Sequence, residues 1–95
     1  MNQEYERIKF IFLSLDKFII MDLNKKIALQ DLKFTFTNVL KIDLFSKLPQ
    51  FFISKGFNSI QLNSHQSLSG QDIQHFAQKN QNYLEILVKF YEEGA

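Results

Sequence analysis

Residues Tyr5 to Leu23 constrain this chain more than any other stretch, because they are apolar on two sides at once. Laid on a helix, Tyr5, Ile8, Phe12, Leu15, Ile19 and Leu23 recur at spacings of three and four, and Ile11 and Phe18 widen that stripe. Phe10, Leu13, Ile20 and Met21 fall roughly opposite. Arg7 and Ser14 occupy one seam between the stripes, and Lys9 and Asp16 the other. A surface helix needs a single apolar stripe, so two of them place this segment at the centre of the fold or in contact with another chain. A strand hairpin, Ile8 to Leu15 and then Phe18 to Leu23, is the competing reading. The lack of Gly or Asn at the Asp16-Lys17 turn counts against it. The pattern therefore predicts a first helix over about 4–23.

The last segment reads as a second long helix, over about 70–93. Ser69-Gly70-Gln71-Asp72 resembles an N-cap followed by an acidic residue in the first turn. Ile73, Phe76, Ala77, Asn80, Tyr83, Leu84, Leu87, Val88 and Tyr91 then form one stripe, and Gly94 marks its end. Between the long helices the signals are mixed. Leu29, Leu32, Phe36, Val39 and Leu40 fit a helical face, although Phe34-Thr35-Phe36-Thr37 alternates like a strand. A helix from about Leu29 to Leu40 is the preferred reading. Asp43 is a plausible N-cap for a short helix through Lys55, interrupted or reopened at Pro49. Gly56 would end that helix, with Phe57 packing back on Phe52 or Ile53. The expected architecture is an all-α bundle of three or four helices in one domain over 1–95. An α+β fold, with a short strand near 33–42 and another near 57–62, is the alternative.

Function is read at the level of class. A chain of 95 residues buries about two-thirds of the surface its unfolded form exposes. Eleven Phe and three Tyr, added to the Ile and Leu, exceed what such a core accepts comfortably. The surplus points to a surface that meets a protein partner or a second copy. The expected role is a non-enzymatic interaction module: a subunit, adaptor or inhibitor. Its contact residues are expected among the second stripe of the first segment, Phe10, Leu13, Ile20 and Met21. Asn80 joins them as a polar residue in an apolar stripe, of the kind that fixes register or partner choice in helical assemblies.

The other classes find little support. Eleven basic residues against ten acidic leave no broad electrostatic footprint for nucleic acid, so DNA binding is the runner-up function rather than the first. No cysteine is present, and the two histidines, His65 and His75, lack carboxylates at ligand offsets. No metal, cofactor or small-molecule ligand is expected. No nucleophile elbow or glycine-rich phosphate loop suggests an enzyme. Asp16 and Lys17 interrupt the apolar run of Ile8 to Leu23, which is also too short to span a membrane. A soluble, intracellular chain of the cytoplasm or nucleus is expected.

Overall fold

The computed structural model describes residues 4–42, 47–76, 79–80 and 82–92. It corrects the expected helical bundle: strands make up most of the regular structure. Strand β1 (Tyr5–Phe12) turns back into β2 (Lys17–Asn24). A short 3-10 turn (Leu29–Asp31) leads into helix α1 (Leu32–Leu40). Then come β3 (Lys47–Lys55), β4 (Asn58–Gln61), helix α2 (Gln71–Phe76), the two-residue β5 (Lys79–Asn80) and β6 (Tyr83–Glu92). The sheet runs in the order β2-β1-β6-β3-β4, with β5 added on β6. Strands β1 and β6 are parallel, and the other pairs are antiparallel.

The first predicted helix is thus a hairpin. Each of its two apolar stripes divides between the faces of the sheet. Ile8, Phe12 and Ile19 of the first and Phe10 and Met21 of the second face the core, while Ile11 and Phe18 of the first and Leu13 and Ile20 of the second face outward. Ile8, Phe10 and Phe12 alternate inward and are fully buried, while Arg7, Lys9 and Ile11 alternate outward. The turn needs neither Gly nor Asn. The Leu15 N–H donates to the Phe12 carbonyl at 3.1 Å, and Asp16 takes the left-handed conformation at φ 52°. Asp reaches that region more readily than most residues, because its short polar side chain bonds locally.

The long last helix is corrected in the same way. Helix α2 ends at Phe76, and the rest of the stripe becomes β5 and β6. Leu84, Ile86 and Val88 face inward at period two and are at most 4% exposed. The expected Ser69 cap moves by one residue. The Gly70 carbonyl accepts the first helical bond, from the Gln74 N–H at 3.0 Å, whereas Ser69 Oγ lies 2.7 Å from Ser67 Oγ. The expected helix through Lys55 is β3, and the Asp43 cap lies outside the described residues. Gly56, at φ 62°, opens the two-residue turn that joins β3 to β4. Phe57 stands fully exposed at its tip instead of packing on Phe52 or Ile53. Pro49 is tolerated in β3 because of where the strand's neighbours stop. The Leu62 N–H donates to Phe51, so odd-numbered residues of β3 turn their backbone groups toward β4. No β4 residue lies opposite Pro49, and its missing N–H leaves no gap in the ladder.

The Leu29–Leu40 helix is present as the 3-10 turn plus α1, so the strand of the alternative reading near 33–42 does not form. The strand near 57–62 does form, as β4. Helix α1 lies on the inner face of the sheet through Leu32 and Phe36, both fully buried. The Phe36 ring meets Phe10 and Phe12 edge-on, each at 5.0 Å between centroids, and lies 6.1 Å from Phe51. Phe12 stacks on Phe90 at 5.8 Å. The connection after β4 closes the core: Leu62 and Leu68 are buried. Its backbone pairs with the segment before α1, with Leu29 N–H donating to Gln66 and Leu68 N–H to Ile27. Among the described residues no polar or charged side chain is buried.

Candidate functional site

With the inner face covered by α1, the outer face of the sheet is the open surface, and it too is apolar. Strand register puts Phe18 beside Ile11, Ile11 beside Leu87, and Leu87 beside Phe52. Residues opposite one another point to the same face, so these four make a row across four strands. Leu13 extends the surface at one end. It continues β1 in phase, its N–H donating to the Val88 carbonyl at 3.0 Å. Phe18 is 58% exposed, Leu13 54% and Ile20 46%.

Charged groups border the row rather than interrupt it. Lys9 Nζ lies 4.3 Å from the Phe18 ring centroid and 5.6 Å from that of Tyr83, and 4.0 Å from Glu85 Oε2. Its ammonium rests on aromatic faces, so its stem adds to the apolar cover. Next to it, Arg7 donates through Nε to Asp22 Oδ1 at 2.8 Å and through Nη2 to Oδ2 at 3.2 Å. This bidentate bond lowers the Asp22 carboxyl below its usual range and raises the Arg7 guanidinium. Arg7, Ile20, Met21, Asp22, Asn82 and Tyr83 line an open cleft of about 420 Å³ beside the ion pair.

The residues singled out in the sequence separate here. Leu13 and Ile20 lie on the outer face. Phe10 has no exposed surface and belongs to the core, and Met21 points the same way, partly buried against it. Asn80 lies in β5, paired with Tyr83, rather than in a helical stripe. Ile11, Phe18, Phe52 and Leu87 complete the surface and were not singled out. The signal for them was present in the alternation of each strand. Among the described residues no group of His, Cys, Asp and Glu is arranged to hold a metal. His65 and His75 are both exposed. No helix among the described residues is long and apolar enough to cross a membrane.

A parallel pair of first and last strands at the centre of a mixed sheet, with a helix packed on one face, is a recurring arrangement. Neither a family model nor a curated relative matches the chain. A solved structure does: the C-terminal ubiquitin-like domain of mouse tubulin-specific chaperone e, at a TM-score of 0.61 and 16% identity. The match covers all of this chain and 95% of that one. The fold is that of a ubiquitin-like domain. At so low an identity the likeness concerns backbone architecture, and it settles the correction from helical bundle to mixed sheet. In this ubiquitin-like fold the outer face is the side of the sheet that α1 leaves uncovered.

Proposed function

We propose that this ubiquitin-like chain is a non-enzymatic protein-interaction module that binds another protein through the outer face of its sheet. One observation carries the reading: the row Phe18–Ile11–Leu87–Phe52, with Leu13 and Ile20 beside it, lies on the face that the chain's own core does not use. Contiguous apolar surface of this kind, rimmed by charged groups, marks protein contact sites. Ile11 and Leu87 at the centre, Phe18 and Phe52 flanking them, and Lys9, Glu85, Arg7 and Asp22 along one side match the usual division between apolar core and polar rim. The mouse domain belongs to a tubulin-specific chaperone, a protein named for a protein client, and the shared fold supports the same class of work here. The absence of cysteine suits a reducing compartment, and we place the module in the cytoplasm or nucleus.

The test compares the wild-type chain with a Leu13→Glu, Leu87→Glu double variant in quantitative affinity capture from a lysate, followed by titration with the purified candidate. Leu13, just past the end of β1, and Leu87, on the inner strand β6, both have outward side chains, so the variant is expected to keep the wild-type circular dichroism. It should lose the captured protein and weaken the titrated affinity at least tenfold. Equal capture and affinity for the two folded chains would refute the outer face as the contact surface.

A further inference from the structure

The two edges of the sheet are unlike. Strand β4, at one edge, has four residues, Asn-Ser-Ile-Gln, mostly polar. Strand β2, at the other, has eight, Lys17 to Asn24, with no Pro, no Gly and four large apolar side chains from Phe18 to Met21. Among the described residues no strand pairs with its outer side. Edge strands are ordinarily shortened, bulged or charged to prevent pairing with another chain. Here the charge of Asp22 is already engaged by Arg7.

The direction of the free backbone groups follows from one bond. The Leu13 N–H donates to Val88 of β6, so odd-numbered residues of β1 face β6 and even-numbered ones face β2. Phe10 opposes Ile19 and Ile8 opposes Met21, so odd-numbered residues of β2 bond to β1. The Lys25 N–H, donating to Glu4 at 2.8 Å, obeys the same alternation. Phe18, Ile20, Asp22 and Asn24 therefore turn their N–H and C=O groups to the open edge, and their side chains belong to the outer face.

We propose that β2 pairs with β2 of a second copy, antiparallel about a two-fold axis at Ile20, joining two sheets into one. In this register Ile20 opposes Ile20 and Phe18 opposes Asp22, each pair exchanging both of its N–H···O bonds. The outer faces of the two copies come to the same side, and their apolar rows become continuous. Charge favours this register. Asp16, in the turn just before β2, comes opposite Asn24 and near Lys25 and Lys26 of the second copy. A shift by two residues in one direction sets Lys17 against Lys25, cancelling the Asp16–Lys26 pair that the same shift brings together, and in the other direction it sets Asp16 against Asp22. A net charge of +1 per chain leaves little repulsion between copies. The contact is isologous and closes at two, because each copy has one such edge.

The first measurement is solution mass by light scattering across a concentration series. It should rise from 11.3 kDa toward twice that value. Ile20→Pro removes a donor that faces the open edge and no bond to β1, so this variant should stay folded and monomeric. Ile20→Lys, which puts like charges at the axis, should do the same and serves if the proline variant is unfolded. A nitroxide on Ile20→Cys should show dipolar broadening between copies. One on Phe57→Cys should not, since β4 lies four strand spacings from β2, about 19 Å. A wild-type chain that is monomeric throughout overturns the proposal, leaving the edge to an extended peptide. So does a dimer that survives in a folded edge variant, or broadening at position 57 without broadening at position 20. The outer-face variant Leu13→Glu, Leu87→Glu should still dimerise, which keeps this outcome separate from partner binding.

Discussion

Phe36 shows how much one side chain can organise. Its ring meets Phe10, Phe12, Phe51 and Phe90 at centroid distances between 5.0 and 6.4 Å, so helix and sheet share one aromatic cluster. Aromatic pairs at these separations add about 0.5–1.5 kcal/mol each beyond simple burial. Phe36→Ala should therefore cost about 3–5 kcal/mol, read as a lower urea midpoint at unchanged slope. Phe34, two residues earlier on the exposed side of α1, is 76% exposed, and its truncation should move the midpoint little. Nothing in the sequence ranks the eleven Phe. Their value depends on which of them the sheet brings against α1.

Among the elements, the β1–β2 hairpin differs most from what its sequence pattern suggests, and Asp16 is the reason. Two-residue hairpin turns favour Asn-Gly or Asp-Gly, but this hairpin uses a four-residue connection closed by an Asp in the left-handed region, which carries no such signature. Asp16→Gly should stabilise the chain by up to about 1 kcal/mol, because Gly adopts positive φ without the strain that a Cβ brings. Asp16→Val should lower stability by about 1–2 kcal/mol, since a β-branched residue fits that region poorly. Paired urea melts of the two variants check both directions. Helix α1 was legible for the opposite reason: its apolar residues fit the helical period, and the structure keeps them helical from Leu32 to Leu40. In Tyr83–Glu92 the same residues satisfy two periods, since Leu84, Leu87, Val88 and Tyr91 line a helix as readily as Leu84, Ile86 and Val88 line a strand.

For the whole molecule, the decisive connection is between the chain's two ends. Strand β6 lies between β1 and β3, and neither half of the sheet reaches the other without it. A chain ending at Asn82 should therefore lack a cooperative thermal transition, which circular dichroism would show. A residual transition of wild-type height would mean that β1, β2 and α1 fold independently. The sequence by itself determined that the chain is rich in apolar side chains beyond the needs of one small core, that Tyr5–Leu23 is apolar on two sides, and that 29–40 has a helical face. It also pointed to Leu13 and Ile20, which lie on the open surface. Only the tertiary structure decided which period those two-sided segments obey. A segment apolar on both sides is ambiguous by itself. A strand leaves its backbone bonds to its neighbours, and β6 finds them in β1 and β3, far away in the sequence. That long-range pairing moved Phe10 into the core and left Phe18, Ile11, Leu87 and Phe52 together on the outside.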